Sequence, residues 1–323
     1  MLVHHLKGGR VESLAFGPDG RSLVVPRPDD GVLVWADIVA GGAPRALPRI
    51  FTDSAGNRQF DNPHGRVRLS ADGRRVGCRG WYRPVVYDLD GGPPVPLVPE
   101  IGNVLDCAAL TPAGDGVVFS LARPRYGIMT DMRTFLSLRS LADPRPIADR
   151  WALALDRWVW DEAAFLTGDR FVSPETMVLE SPSRWVASWV VRDLATGHEL
   201  AASPPLGRRA AQATTSPDGR WVAGIHTKHL VVWSPADPSA PPLTRKNDGP
   251  LHFTGVAFHP SGAYLATTSN DATVRLYDTG TWEVARTYAW QAGKLRCVAF
   301  SPDGMLAAVG TDSGNIVVWD VDL

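Results

Sequence analysis

The sequence predicts an all-β chain built of seven four-stranded antiparallel units, and three observations predict it. A Pro-Asp-Gly turn following an aromatic residue recurs along the chain, as in Phe16 to Gly20 and Phe300 to Gly304. Behind it recurs an apolar run that ends in an aromatic residue, often with Asp next, as in Trp319-Asp320. The two landmarks keep a fixed spacing: 18 to 35, 260 to 277 and 302 to 319 are each 17 residues, and 71 to 87 and 217 to 233 are 16. From the second landmark to the next first, 87 to 112, 192 to 217 and 277 to 302 are each 25 residues, and 233 to 260 is 27. The sum is a unit of 42 residues, the length of one β-propeller blade, and seven such units account for the 323 residues as a single domain, 1–323.

The last unit shows the elements most clearly. Leu295 to Ser301 alternates around Val298 and Phe300, Pro302-Asp303-Gly304 turns the chain, and Met305 to Gly310 returns. Asp312 to Asn315 turns again, and Ile316 to Asp320 ends the unit. Pro fixes φ at the turn's second position, Asp bonds nearby backbone, and Gly takes the positive φ that comes next. Phe258 to Gly262 carries Ser261 for Asp, and degenerate copies stand at Leu69 to Gly73, Leu110 to Gly114, Phe165 to Asp169 and Thr215 to Gly219. The strand-ending aromatic is Trp35, Tyr87, Trp233, Tyr277 or Trp319, and Arg139 and Arg192 hold that position in the two remaining units. Fourth strands are short and Pro-rich at Pro44 to Leu47, Pro94 to Leu97 and Pro241 to Leu243, which suits an outer edge where a missing N–H would face solvent. The last unit lacks a fourth strand, and the first seven residues belong to no unit. Leu2 to Leu6 is therefore expected to close the ring as the outer strand of the last blade, making a complete propeller.

These residues resemble the Trp-Asp (WD) repeat β-propeller family along the whole chain. The best copies run from Val256 to Asp278 and from Val298 to Asp320. The resemblance implies blades around a channel, a non-catalytic role and use as a scaffold for protein contacts. One departure stands out. Family blades commonly carry a Gly-His dipeptide before the first strand, linked by hydrogen bonds through Ser/Thr and Asp to the Trp. Here the sole Gly-His, Gly197-His198, falls after a third strand, and Asp six residues before the aromatic survives only at Asp29 and Asp271. The blades are therefore expected to be held mainly by apolar packing.

Composition narrows the function. A net charge of −1 gives no footprint for nucleic acid or for an anionic membrane. Only four residues are Lys, and the predominance of Arg is read as base composition rather than recognition. Cys78, Cys107 and Cys297 cannot all pair and lie in apolar strand patterns, which reads as buried thiols in a reducing compartment. No signal-like or membrane-length apolar run occurs, so a cytoplasmic, soluble protein is expected.

Three places exceed the template, and function is expected there. The link from Leu47 to Ala71 takes 24 residues where Leu97 to Pro112 takes 15. The second-to-third strand loops at Leu121 to Thr134 and Pro174 to Ser183 are long as well. In an antiparallel meander such connections share one face, so loops 48–65, 121–134 and 174–183 are expected together. They bring Arg58, Phe60, Arg123, Arg125 and Tyr126 into otherwise minimal turns, and Trp151 is expected in a neighbouring connection. Aromatic and Arg residues are what interface hot spots favour, so these six are the candidate contacts for a protein or peptide partner. Trp158, Trp160, Trp185 and Trp189 are instead expected to fill gaps between blades.

For an enzyme, the sequence offers no P-loop, dinucleotide fingerprint or zinc helix, so no catalytic residue, cofactor or metal is assigned. The alternative is a propeller hydrolase or lyase with a metal-assisted site at the channel mouth, using His226 and His229 with His252 and His64 near other loops. The plainer reading is separate turn and packing histidines.

Overall fold

The computed structural model describes residues 1–6, 9–27, 30–47, 50–52, 58–60, 64–79, 84–91, 95–96, 104–125, 128–141, 149–155, 157–159, 161–179, 184–207, 211–248 and 250–322. The fold is a seven-bladed β-propeller of antiparallel four-stranded sheets, with no helix among the described residues. Blade one comprises Ala15–Phe16, Leu23–Arg27, Gly31–Trp35 and Arg45–Ala46. Blade two is His64–Leu69, Arg75–Arg79, Pro84–Asp88 and Val95–Pro96, and blade three is Val104–Leu110, Gly116–Arg125, Ile128–Ser140 and Asp149–Leu155. Blade five is Ala211–Thr215, Val222–His226, His229–Trp233 and Leu243–Lys246, and blade six is Phe253–Phe258, Tyr264–Ser269, Thr273–Asp278 and Val284–Ala289.

Blade four departs from the expected single first strand. Trp158–Val159 and Ala164–Leu166 both pair with Arg170–Leu179, at opposite ends, and Arg184–Asp193 and Glu199–Ala202 complete the sheet. Between the two pieces Asp161 accepts from the Glu162 amide (2.8 Å) and from the Gln212 amide of blade five. The carboxylate thus takes up backbone donors that the interrupted ladder leaves over.

Blade seven is Leu295–Phe300, Leu306–Thr311 and Asn315–Asp320, and its fourth strand is Leu2–His5. The register sets Leu2 opposite Val318 and His5 opposite Asn315, and His5 Nδ1 donates to Asn315 Oδ1 (2.6 Å). The ring closure expected from the two matching gaps is what the strand pairing shows.

By packing, the chain divides into two compact units: Met1–Pro96 with Asn247–Leu323, which holds blades six, seven, one and two, and Leu97–Lys246, which holds blades three, four and five. Within each unit the core lies between neighbouring blades. In the first, Val11, Leu23, Trp35, Ala308, Ile316 and Val318 join blades seven and one. Val24, Val32, Val76 and Tyr87 join one and two, and Leu276, Val309, Val317 and Trp319 join six and seven. In the second, Val118, Leu136, Leu138 and Phe171 join three and four, and Val172, Trp189, Val222 and Trp233 join four and five. Middle strands are sandwiched on both faces, which is why Leu23–Arg27 is buried at every position and Leu23 to Pro26 reads as a continuous apolar run.

The polar network of the family is indeed thin. The indole Nε1 atoms of Trp189, Trp233 and Trp319 are buried without a hydrogen-bond partner among the described residues. Cys78 and Cys297 are buried thiols, and burial pushes the Cys297 thiol up to about 12, far from a reactive thiolate.

Candidate functional site

The three insertions are hairpins rather than loops. In blade three the second and third strands continue to Arg125 and restart at Ile128, pairing Arg123 with Arg133 and Arg125 with Ile128. In blade four the same strands pair from Arg170 with Asp193 to Leu179 with Arg184. The link before blade two folds as a separate hairpin, Ile50–Thr52 with Arg58–Phe60, setting Arg58 opposite Thr52 and Phe60 opposite Ile50. Lengthening an existing ladder satisfies backbone donors and acceptors that an irregular loop would leave to water. Tyr126 lies outside the described residues, as do residues 180–183 at the tip of the blade-four hairpin.

Trp151 does not join this group. The structure corrects its expected place in a connection: it sits in Asp149–Leu155, the fourth strand of blade three, opposite Leu138. Arg133 and Leu138 are five residues apart on one strand, so Trp151 lies about 17 Å along the sheet from the Arg123–Arg133 pair. Its indole stacks on Phe171 (centroids 6.0 Å, 11°) and Nε1 donates to the Leu194 carbonyl (2.8 Å). The same ring covers Gly197, where a Cβ would come within 2.7 Å of it and φ is +75°. The lone Gly-His dipeptide is thus explained by its glycine, which lets an indole lie flat on the turn of blade four.

That turn forms one wall of a groove of about 540 Å³ between blades three and four, at the ends of the sheets opposite the two long hairpins. Leu138, Phe165, Leu166 and Leu194 supply apolar surface, and Asp115, Arg150, Asp169 and Arg170 the charge. Arg150 Nη2 meets Asp115 Oδ2 at 2.7 Å, and Thr111 Oγ1 donates to Asp115 Oδ1 (2.9 Å). Partial burial raises the Asp115 carboxyl, but the hydrogen bonds from Arg150 and Thr111 outweigh it and hold the group below the usual carboxylate value.

A second polar cluster, which sequence reasoning missed, lies inside blade four. Glu175 is buried (1% exposed), and its Oε1 accepts from Ser173 Oγ (2.5 Å) and from Arg192 Nε and Nη2 (both 2.8 Å). Arg192 Nη1 donates to the Gly197 carbonyl (3.0 Å), and Arg157 bridges Glu175 (3.5 Å) and Glu199 (3.2 Å). The signal in the sequence was Arg192 standing where five of the blades place Trp or Tyr. A guanidinium there needs a buried anion, and Glu175 on the adjacent strand supplies it.

His226 and His229 face each other in register across the two-residue turn Thr227-Lys228, with Thr227 at φ +47°. The His252 amide donates to Asn270 Oδ1 (3.0 Å). No group of three potential metal ligands gathers among the described residues. No helix of the described residues is long and apolar enough to cross a membrane.

The fold is that of a seven-bladed propeller of antiparallel meander blades. The model of the WD domain, G-beta repeat, matches residues 246–278 and 282–320, which fall in blades six and seven and begin at the last residue of blade five's fourth strand. Two of the seven blades thus match the WD-repeat model, and in them the chain is similar to WD-repeat β-propellers. Among curated relatives it is similar to actin-interacting protein 1 of Caenorhabditis elegans, 33% identical over 76 residues, which is 23% of this chain and 12% of that protein. It is also similar to the human serine-threonine kinase receptor-associated protein, 31% identical over 72 residues, 22% of this chain and 21% of that one. A third relative is the target of rapamycin complex subunit wat1 of Schizosaccharomyces pombe, 28% identical over 106 residues and 33% of each chain. The matches thus span between 12% and 33% of these relatives' own length. Among solved structures, the Cps50 (Swd1) β-propeller domain of Myceliophteria thermophila superposes with a TM-score of 0.72 at 17% identity, covering 98% of both chains. That likeness carries the fold alone.

Proposed function

We propose that this chain is a non-enzymatic scaffold that binds another protein or peptide through the hairpins at 48–65, 121–134 and 174–183, in a reducing, cytoplasmic setting. The observation that carries the reading is that the additions to a 42-residue unit are built as paired strands that prolong or join the blades, where equivalent connections elsewhere are minimal. Prolonged ladders fix the backbone of the added segments, which lowers the ordering cost of binding. The register also sets Arg123 opposite Arg133, so the prolonged ladder places two basic residues at one level. An acidic patch on the partner fits that arrangement. The relatives' names support the class of role, since they describe an interacting protein, a receptor-associated protein and a complex subunit.

The test is quantitative affinity capture from native lysate with Arg123→Ala, Arg125→Ala and Tyr126→Ala combined. A control carries Arg74→Ala and Arg220→Ala, exposed residues in the first-to-second strand turns. The partner should be depleted at least about tenfold in the triple variant and retained by the control, the equivalent of losing a charge-assisted contact or two. Retention by the triple variant and loss in the control would place the interface elsewhere.

A further inference from the structure

The groove between blades three and four is a second surface, at the ends of the sheets opposite the long hairpins of those blades. We propose that it binds an extended peptide segment of a partner protein in which an aliphatic side chain stands beside a carboxylate.

Shape comes first. At about 540 Å³ the groove has the capacity of a ligand-sized cleft, and it is open to solvent, which suits a chain passing through rather than a small molecule sealed inside. Buried Leu138 and Leu166 form its floor, and half-buried Phe165 and Leu194 offer the apolar contact that remains to be covered.

Its walls are fixed before anything binds. The Thr111 turn is closed by the Gly114 amide on the Thr111 carbonyl (2.9 Å) and by the Gly116 amide on Thr111 Oγ1 (3.0 Å). The Asp193 turn is closed by the Thr196 amide and hydroxyl on Asp193 Oδ1 (2.8 and 2.7 Å), and the Leu194 amide ties it to the Asp169 carbonyl (2.8 Å). Behind it Trp151 holds the Leu194 carbonyl. A ligand therefore has little wall to order, and the cost of binding falls on the ligand.

Charge selects the occupant. The two arginines and two aspartates lining the groove cancel formally, but their hydrogen-bonding capacities do not. Both oxygens of Asp115 are already taken, Oδ1 by Thr111 and Oδ2 by Arg150. Arg150 spends one nitrogen on that pair and Arg170 one on the Thr167 carbonyl (3.2 Å). A guanidinium carries five N–H donors, so each arginine presents an unused edge to the groove. An incoming carboxylate meets two such edges and can take paired N–H···O bonds. Asp169, exposed beside Arg170, repels a second carboxylate at its end and so gives the bound peptide a direction.

The experiment pans a phage-displayed random twelve-residue library against the intact chain and measures an enriched peptide, made synthetically, by fluorescence anisotropy. Enriched sequences should share an aliphatic residue adjacent to Asp or Glu. Affinity should fall at least about tenfold for Arg150→Gln with Arg170→Gln, and again for Ala195→Trp, which plugs the groove from an exposed position. Arg286→Glu, on the exposed fourth strand of blade six, should leave it unchanged. Melting curves of the variants should match the parent, since all four positions lie at the surface or the groove rim. Absence of enrichment, enrichment of basic sequences, or affinities indifferent to both groove variants would overturn the proposal.

Discussion

The serine and aspartate of the first-to-second strand turn do the same work in three blades. Ser70, Ser216 and Ser301 are buried, and each hydroxyl donates to the aspartate two residues on, Asp72, Asp218 or Asp303 (2.6, 2.6 and 2.5 Å). Each aspartate accepts in turn from the amide of Arg74, Arg220 or Met305 at 3.0 Å. Blade one reaches the same end by another route: Gly17 replaces the serine, and Ser22 donates its hydroxyl to Asp19 (2.8 Å) from the far side, in space that a Cβ at Gly17 would occupy. At Asp303 the Ser301 hydroxyl and then the Met305 amide hold the carboxyl below its ordinary value of 3.8. A carboxyl lowered in the folded state contributes stability that is whole above the unfolded value and is lost as pH falls through the folded one. Asp303→Asn should therefore lower the melting temperature at pH 7, and the deficit should be smaller at pH 3, below the ordinary carboxyl value. A deficit of equal size at both would show that the charge of Asp303 plays no part.

Among the elements, the buried pair of blade four and the closing strand of blade seven carry the sharpest consequences. Arg192→Met alone takes the nearest cation from buried Glu175, leaving it only Arg157 at 3.5 Å, and should cost about 3–5 kcal/mol in urea unfolding. Glu175→Met with Arg192→Met should recover most of that loss, because well-packed apolar residues often equal a buried ion pair. A double variant as unstable as the single one would show that the pair is needed for more than mutual neutralisation. For the closing strand, deleting residues 1–6 strips the ladder from Asn315–Asp320 and exposes an edge. The melting temperature should drop by many degrees and oligomers should form; an unchanged monomer with unchanged melting would contradict the pairing. The strands themselves were legible because a period of two and turns of fixed chemistry recur, and Leu295–Phe300, Leu306–Thr311 and Asn315–Asp320 fall within a residue or two of where alternation puts them. The split first strand of blade four was not legible: it depends on Asp161 reaching the Gln212 amide, 51 residues away. The hairpin form of the insertions was hidden for a related reason, since Pro124 and Pro174 read as loop residues although both sit in paired strands.

At the scale of the molecule, spacing alone was enough for seven blades, because a repeat imposes one answer many times over. The candidate site was legible only in part. Arg58, Phe60, Arg123 and Arg125 fall on hairpin strands as insertions should, but Trp151 proved to be a wall support for a groove at the other ends of the sheets. That groove is assembled from three turns of two blades, and nothing within a single unit of sequence announces it. The two surfaces make separable claims about where a partner sits. Hydrogen–deuterium exchange on the intact chain, with and without the captured partner, reads both at once. Binding as proposed slows exchange in residues 48–65, 121–134 and 174–183 while the minimal turns of blades five and six stay unchanged. A saturated complex in which all three hairpins exchange as they do in the unbound chain would contradict the account.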